Sequence, residues 1–419
     1  MQTGETHRAI EAVWRIESAK LIAGLTRIFR DIGFAEDLAN DALVAALEQW
    51  PRSGVPDNPA AWLMTTAKRR GIDGVRRNAV LDKKHQLIGR EIEAASTDDF
   101  DAVVEEDFGD DLLRLIFTAC HPVLSKQAQV ALTLRLLGGL TTPEIARAFL
   151  VPEPTVAQRI VRAKKTLTEA RVPFEVPAGT ELAERLSSVL GVIYLIFNEG
   201  YSATAGDDWL RPSLCEDALR LGRILAELTP GEPEVHGLVA LMEIQASRLR
   251  ARIGPGGVPV LLMDQDRARW DHILIRRGVD ALSRAESLGK ALGPYGLQAA
   301  IAACHARARS AEDTDWHRIA ALYDGLAEVA PSPVVDLNRA VAVSMAFGPA
   351  AGLEIVDALH ADGALSGYHL LPAVRADLLA KLGRADDAAA EFTRAAALTL
   401  NARERELMLE RAQQCVPGG

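Results

Sequence analysis

Cysteine is scarce in this chain of 419 residues, and its four cysteines are widely scattered. No two of them form a CxxC pair and no two histidines have HExxH spacing, so the sequence predicts no disulfide framework, no metal site and no cofactor. Isolated thiols are typical of the reducing cytoplasm, which is the expected location. No apolar run approaches the roughly 20 residues that span a bilayer. The first ten residues, MQTGETHRAI, lack the charged and apolar regions of a signal peptide.

Alternating polar and apolar positions, the pattern of β-strands, are also scarce, and almost every segment has the periodicity of an α-helix. The sequence therefore predicts an all-α protein, and its length predicts more than one domain. Breaks rich in proline, glycine or acidic residues fall at 50–59, 96–111 and 172–180. The expected parts are a helical domain at 1–77, an acidic linker at 78–108, a second small helical domain at 109–171 and a long helical region at 180–415.

The net charge of −10 at first argues against a nucleic-acid partner, but the charges are unevenly distributed. Residues 61–77 carry five basic side chains and one aspartate, and residues 153–171 carry five basic and two acidic side chains. Between these segments, residues 78–111 carry three basic and eleven acidic side chains. Two basic helices are therefore expected in an otherwise acidic chain.

The first basic helix is expected to begin at Pro59 and to continue through AAWLMTTAKRRGIDGVRR. At 100° per residue, its apolar side carries Ala61, Met64, Ile72 and Val75. The opposite stripe carries Trp62, Thr66, Arg69, Arg70, Asp73, Arg76 and Arg77. Four arginines and an indole suit contact with phosphates and stacking on an unpaired base, and an ordinary solvated face is the alternative.

The preceding segment at 35–50, AEDLANDALVAALEQW, predicts an amphipathic helix with acidic residues near its start. Its apolar side carries Leu38, Ala42, Ala45 and Ala46. The early acidic side chains favour the helix dipole without any partner, and they equally suit a face that docks on another protein. Spacing alone does not separate these two interpretations.

The segment at 140–167, LTTPEIARAFLVPEPTVAQRIVRAKKTL, predicts two short helices joined by a tight turn. Thr141 and Glu144 can form a capping box at the start of the first helix. Alternatively, Thr142 caps a helix whose first residue is Pro143. The residue before a proline avoids helical dihedrals, so the first helix should end before Pro152 and the second should begin at Pro154.

The second of these helices has two distinct sides. Its apolar side carries Val156, Ile160, Ala163 and Leu167. The opposite side carries Thr155, Gln158, Arg159, Arg162, Lys165 and Thr166. A polar, basic outer face on the second helix of such a pair is typical of a DNA-binding helix-turn-helix and its recognition helix.

In this order and spacing, the segments at 35–50, 58–77 and 140–167 resemble a bacterial RNA polymerase sigma factor of the extracytoplasmic-function (ECF) type. The resemblance covers residues 8–77 and 109–171, and three ordered motifs are far more specific than one. It implies a non-enzymatic protein that joins core RNA polymerase, recognises the −35 and −10 promoter elements and melts the −10 region.

The resemblance also assigns residues to these contacts. The face that docks on core polymerase would carry Asp37, Leu38, Asp41 and Leu43. The −10 element would be held by Asp57, Asn58, Trp62, Arg69, Arg70, Asp73, Arg76 and Arg77. The −35 duplex would be read by Thr155, Gln158, Arg159, Arg162 and Lys165. Many members have glycine where this chain has Pro154. Proline lacks the backbone N–H group that would suit a phosphate contact at this position.

Residues 180–415 lie outside the minimal family and resemble the tetratricopeptide-like extension that one ECF subgroup carries. Two segments are similar at an offset of 36 or 37 residues, close to the repeat length of about 34 residues in tetratricopeptide proteins. The matched residues are Ala340, Ala351, Ile355 and Ala358 in the first segment and Ala376, Ala388, Phe392 and Ala395 in the second. Ordinary alanine-rich helical hairpins are the alternative. The resemblance implies that the extension regulates activity, through a protein partner or an intramolecular contact.

The segment FNEGYSA at 197–203 resembles the signature of that extension. Asn198, Glu199 and Tyr201 suit either a ligand pocket or, more simply, a polar turn between two helices. Two rival functions stay open: a helix-turn-helix regulator that does not replace a polymerase subunit, and an enzymatic C-terminal region. The basic helix at 59–77 argues against the first, because such a regulator needs no face for single strands. The absence of a nucleophile–base pair or phosphate loop argues against the second.

Overall fold

The computed structural model describes residues 2–79, 108–203, 209–363 and 365–415. All regular secondary structure in these ranges is helical, apart from isolated β-bridge residues such as the pair Ile253 and Pro259. The predicted all-α fold class is therefore confirmed. The chain forms two compact units, Met1–Ile193 and Tyr194–Gly419. Among the described helices, none is both long and apolar enough to cross a membrane.

The first unit contains two helical bundles in sequence. Its helices are α1 (Gln2–Phe29), α2 (Ile32–Ser53), α3 (Pro59–Ala79), α4 (Phe108–Ala119), α5 (Lys126–Leu136), α6 (Thr142–Ala148), α7 (Glu153–Glu169) and the first part of α8 (Thr180–Tyr201). The predicted linker at 78–108 falls almost entirely between α3 and α4, where residues 80–107 lie outside the described ranges.

The second unit begins with the rest of α8 and continues as helical hairpins. Its further helices are α9 (Pro212–Leu228), α10 (Pro233–Ala246), α11 (His272–Ser287), α12 (Pro294–Arg307), α13 (Trp316–Val329), α14 (Pro333–Phe347), α15 (Pro349–Asp362), α16 (Leu370–Lys381), α17 (Ala385–Leu398) and α18 (Ala402–Cys415). Short 3₁₀ turns connect α10 to α11; they are Leu249–Ala251, Pro255–Gly257, Leu262–Asp264 and Arg267–Arg269.

Helices α1, α2 and α3 pack around Leu25, Trp50 and Leu63, which are each at most 2% exposed. The approach of α3 to α1 requires a glycine at position 71, because a β-carbon there would lie 2.3 Å from Phe29 Cζ. Helices α1 and α3 are therefore closer together at Gly71 than any larger side chain at that position would allow.

Helices α4 to α7 form the second bundle, which contains the predicted helix-turn-helix. The capping box at the start of α6 is present: Thr141 N donates to Glu144 Oε2 at 2.7 Å, and Glu144 N donates to Thr141 Oγ1 at 3.4 Å. Of the two capping alternatives, the one with Thr141 is confirmed. Helix α7 begins at Glu153, one residue before the predicted Pro154, and Pro152 is its N-cap.

The first half of α8 packs on this second bundle. Arg185 Nη2 donates to the Phe117 carbonyl at 3.0 Å, and Ser188 Oγ donates to the Cys120 carbonyl at 3.1 Å. Residues 180–193 thus belong to the first unit, although the sequence pattern assigns them to the C-terminal extension.

The helical hairpins α14–α15 and α16–α17 are related by a constant offset of 36 residues. Ala340 and Ala376 are both fully buried, as the sequence match predicts. The later part of the match is one residue out of register. The buried counterparts of Ala388 and Phe392 are Gly352 and Val356, not Ala351 and Ile355. Ala351 and Ile355 directly precede the matching positions Gly352 and Val356. Their residue types resemble Ala388 and Phe392 more closely, so a match by residue type selected them instead.

Candidate nucleic-acid interface

Helix α7 has the two sides that its sequence predicts. Val156, Ile160, Ala163 and Leu167 are all buried against the rest of the bundle. Thr155, Gln158, Arg159, Arg162 and Thr166 line one side of a cleft of about 340 Å³, whose other side is formed by residues 123–125 and Ala128. Lys165 is exposed and forms an ion pair with Glu169 at 3.6 Å. The predicted −35 residues, apart from Lys165, are therefore brought together on one surface.

Pro154 is the second residue of α7 and leaves its first turn with few free donors. Thr155 N donates to the Pro152 carbonyl at 2.9 Å, and Val156 N donates to the same oxygen at 3.3 Å. Proline itself has no N–H group. The start of α7 is thus poorly suited to bind a phosphate through its backbone.

The buried side of α3 differs from the predicted one. Leu63 and Ala67 are 2% and 0% exposed and Gly71 is buried, whereas Ala61, Met64, Ile72 and Val75 are half-buried. The buried side is rotated because α1 and α2 pack over the small residues Ala67 and Gly71. A hydrophobicity pattern gives such small residues little weight.

Two of the predicted −10 residues attach α3 to α2. Trp62 packs edge-on against Trp50, with ring centroids 5.3 Å apart. Arg70 Nη1 donates to the Asp41 carbonyl at 2.9 Å and lies 3.7 Å from the Asp41 carboxylate. Both side chains remain partly exposed. They therefore fix the orientation of α3 as well as bordering its outer surface.

The other predicted −10 residues lie on the outer side of α3 or in the loop before it. Arg69, Asp73 and Arg76 are exposed at helical spacing, and Asp57 is exposed. Asn58 accepts a hydrogen bond from Ala61 N at 3.0 Å, so its side chain caps α3. Arg77 lies in α3, but its side chain is outside the described set.

Helix α2 offers an outer stripe that differs in part from the predicted docking face. Asp37 and Asp41 are exposed, but Leu38 is 4% exposed and packs in the bundle core, so it cannot contact a partner. Sequence reasoning missed Val44 and Leu47, which are 48% and 37% exposed. Leu43 is half-buried. Once the buried side of α2 is known, helical spacing places these two aliphatic side chains on the exposed side, beside the carboxylates. That combination is the signal by which they could have been found.

Glu36 connects α2 to the helix-turn-helix. Its carboxylate, 6% exposed, forms ion pairs with Arg135 Nε at 2.5 Å and with Lys164 Nζ of α7. Burial opposes its ionisation, but Lys164 and Arg135 outweigh that effect and hold the pKa of Glu36 below its usual value. A second ion pair joins the bundles at Arg27 and Asp111, 2.9 Å apart.

Comparisons with known proteins agree with this geometry. Residues 17–80 match the family described as Sigma-70 region 2, and residues 114–167 match Sigma-70, region 4. Residues 185–286 match a family of unknown function, DUF6596. No solved structure matches the chain.

Several curated proteins are similar in sequence. An uncharacterised protein of Rhizobium meliloti (strain 1021) is 44% identical over 388 residues, which cover 91% of this chain and 90% of that protein. The probable ECF RNA polymerase sigma factor SigI of Mycobacterium tuberculosis is 26% identical, over 43% of this chain and 61% of SigI. The ECF RNA polymerase sigma factor SigK of Mycobacterium ulcerans is 28% identical, over 34% of this chain and 75% of SigK.

The two sigma-70 regions, in order and within one unit, define a transcription-initiation protein of the sigma-70 class. The chain belongs to the ECF sigma factors, and its C-terminal extension contains the DUF6596 region.

Proposed function

We propose that this chain binds core RNA polymerase, directs it to promoters by reading the −35 element with α7, and melts the −10 region on α3. The proposal rests on one observation: the polar side of α7 and the arginine-bearing side of α3 occur in the same unit, each on a different bundle. A repressor or activator that reads only duplex DNA needs the first surface and has no use for the second. Polymerase supplies the chemistry, so the chain itself is not an enzyme.

In the −35 contact, Gln158 and Arg162 extend from the exposed side of α7 towards base edges in the major groove. Glutamine suits adenine and arginine suits guanine, because each pair forms two hydrogen bonds. Arg159, which is half-buried in the same cleft, suits the phosphate backbone. In the −10 contact, Arg69 and Arg76 hold the backbone, and the exposed part of Trp62 offers a ring for an unstacked base.

In the polymerase contact, the outer stripe of α2 docks on the largest polymerase subunit. Asp37, Asp41 and Glu48 supply negative charge, and Val44 supplies apolar area at the centre of the stripe. Such a centre surrounded by polar groups is the usual anatomy of a specific protein interface.

Promoter binding requires the two bundles to separate. Elements centred at −35 and −10 are about 25 base pairs apart, or roughly 85 Å at 3.4 Å per base pair. Glu36 and Lys164 instead hold α2 against α7. The 28 residues between α3 and α4 are enough chain for the larger distance, since an extended chain spans at most about 3.3–3.6 Å per residue. The contact at Glu36 therefore belongs to a closed form that polymerase opens.

We further propose that the second unit regulates this opening. Residues 194–419 carry 23 basic and 30 acidic side chains, so their net charge is opposite to that of α3 and α7. An acidic partner for basic DNA-binding surfaces is a direct means of control.

Run-off transcription separates this function from its rival, a duplex-binding regulator that does not replace a polymerase subunit. Purified chain, core polymerase and a promoter template should give a transcript whose start depends on both promoter elements. A chain that protects duplex DNA from cleavage but gives no transcript with core polymerase would establish the rival instead.

A further inference from the structure

The first half of α8 contacts the C-terminal end of α4, where backbone carbonyls have no following helical turn to bond. The helical pattern stops because His121 N donates to the Thr118 carbonyl at 3.2 Å rather than to that of Phe117. Arg185 Nη2 donates to the Phe117 carbonyl instead, at 3.0 Å. Carbonyls at the end of a helix need such donors, and they form the negative end of the helix dipole, which favours a guanidinium group. Arg185 therefore stabilises the end of α4 from a neighbouring helix.

Ser188, one turn further along α8, joins the end of α4 to the start of α5. Its Oγ donates to the Cys120 carbonyl at 3.1 Å and accepts from Lys126 Nζ at 3.2 Å. Gln129 is 1% exposed, and its Nε2 lies 3.3 Å from Ser188 Oγ. The two hydrogens of that Nε2 group are shared with the carbonyls of Cys120 and His121, both at 2.9 Å. The hydroxyl group of Ser188 thus belongs to a network that includes residues of three helices.

The backbone between these helices, residues 120–125, is called the α4–α5 loop below. Leu124 N donates to the His121 carbonyl at 3.0 Å, and Val123 N donates to His121 Nδ1 at 3.1 Å. Burial and the charge of Arg185 lower the pKa of His121, which leaves Nδ1 without a proton and able to accept this bond at neutral pH. Arg185 therefore supports the loop both at its start and through His121.

The α4–α5 loop forms one wall of the cleft beside the recognition helix. Residues 123–125 line it, opposite Arg159 and Arg162 of α7. Arg159 is half-buried there, so the wall limits the positions that its side chain can adopt. Side chains that are already restricted to productive positions lose less conformational entropy on binding, which strengthens the contact. The position of the loop therefore affects how α7 presents its side chains to DNA.

We propose that Arg185 and Ser188 are positioning residues for −35 recognition: they hold the α4–α5 loop where it supports the DNA-contacting side of α7. This inference rests on the proposed reading of the −35 element by α7. The match to Sigma-70, region 4 ends at residue 167, and the DUF6596 match begins at residue 185. The DNA-reading part of the chain therefore extends beyond region 4 and includes the start of the region of unknown function.

Helix α8 continues from this contact into the second unit. Its last residues, 198–201, belong to FNEGYSA and are helical, where the sequence suited a polar turn or a ligand pocket. The two positioning residues thus lie on the helix that connects the −35 surface to the C-terminal extension.

The test compares promoter binding by the full-length chain and its variants, each in complex with core polymerase. One template carries an intact −35 element and the other a scrambled one, with the same −10 element, so the ratio of the two affinities measures −35 recognition. Ser188→Ala should reduce this ratio about three- to tenfold. Ser187→Ala, which changes the neighbouring exposed serine of α8, is the matched control and should leave the ratio unchanged. Ser188→Thr keeps a hydroxyl group and should restore the ratio.

Hydrogen exchange in the full-length chain follows the loop itself. The amide groups of Val123 and Leu124 should exchange faster in Ser188→Ala than in the wild type or in Ser187→Ala, because the loop loses one of its supports. If Ser188→Ala does not fold, Arg185→Gln, which removes the guanidinium group from the Phe117 carbonyl, replaces it with the same expected results.

The inference is overturned if Ser188→Ala keeps the wild-type ratio, whatever its exchange rates. It is also overturned if the variant weakens the binding of both templates equally, since Ser188 would then only stabilise the bundle. A wild-type chain that forms the polymerase complex but binds both templates equally would instead overturn the proposed reading of the −35 element, and this inference with it.

Discussion

Lys164, on the recognition helix α7, forms an ion pair with Glu36, on the helix α2 that is proposed to dock on polymerase. The two residues are 128 positions apart in the chain and belong to different sigma regions. Arg135 completes the contact by donating to the same carboxylate at 2.5 Å. On the proposed docking face, binding of polymerase would compete with closure of the two bundles for the same end of α2.

Substitution of Glu36 by glutamine should favour the open form. The amide keeps the size of the side chain but loses two charge-assisted hydrogen bonds, which are worth roughly 1–3 kcal/mol. Only the open form binds core polymerase in this proposal, so a populated closed form lowers the apparent affinity of the wild type. The variant populates the open form more, and core polymerase should therefore bind it about tenfold more tightly. Anisotropy titration with labelled core polymerase measures this affinity. The control is Glu11→Gln on the exposed side of α1, which should leave the affinity unchanged. Weaker binding by Glu36→Gln would mean that Glu36 itself contacts polymerase.

The exposed apolar centre of the α2 stripe should be essential for docking. Val44→Asp places a charge at the centre of the proposed interface and should weaken the binding of core polymerase at least tenfold. The same titration measures the effect. Ile16→Asp, at a residue of α1 that is 64% exposed, is the matched control for an added charge on an exposed aliphatic position. Equal losses in both variants would argue against a docking role for α2.

Arg162 should read a base in the −35 element. Arg162→Ala should weaken promoter binding by roughly 1–3 kcal/mol and relax the preference at one base pair, because a bidentate contact to guanine is lost. Binding of holoenzyme to a set of promoters with each −35 base varied measures both effects. Val161→Ala, on the same helix but outside the cleft, serves as the control. A uniform loss across all sequences would instead identify Arg162 as a phosphate contact.

The second unit should lose stability as the pH falls below about 6.5. Burial and the nearby Arg248 and Arg267 lower the pKa of His305 to about 4. Between that value and the ordinary pKa of 6.5, the unfolded chain binds a proton that the folded chain does not, so the free energy of unfolding falls as the pH falls. The expected loss is roughly 1–3 kcal/mol between pH 6.5 and pH 4.

Thermal unfolding of the full-length chain against pH measures this dependence. His305→Gln should flatten the pH dependence in that window, whereas His360→Gln, which changes an exposed histidine of α15, should not. Identical profiles for all three proteins would exclude His305 as the titrating group.

Local sequence patterns predicted the elements of this molecule well and their packing less well. The capping residues Thr141 and Glu144 identify the start of α6, because capping depends on residues close in sequence. The buried side of α3 was mistaken, since Gly71 lies against Phe29 and Leu38, and Ala67 is fully buried, through contacts that no local pattern contains. The assignment of Leu38 to docking failed for the same reason.

Contacts between distant segments were beyond the sequence patterns. In the sequence, Glu36 is one of several acidic residues near the start of a helix, and the helix dipole is enough to account for an acidic residue there. Its partners follow 99 and 128 residues later. Arg252 likewise stacks on Tyr201, 51 residues earlier in the chain, and only the fold brings these two side chains together.

The most direct test of the account is the distance between α2 and α7 when core polymerase binds. Dyes placed through Arg52→Cys and Thr168→Cys, both at exposed positions of these helices, report that distance by energy transfer in the full-length chain. The account predicts high transfer in the free protein and a large decrease on addition of core polymerase, in proportion to the complex formed. Unchanged transfer in a formed complex, or no complex at all, would contradict it.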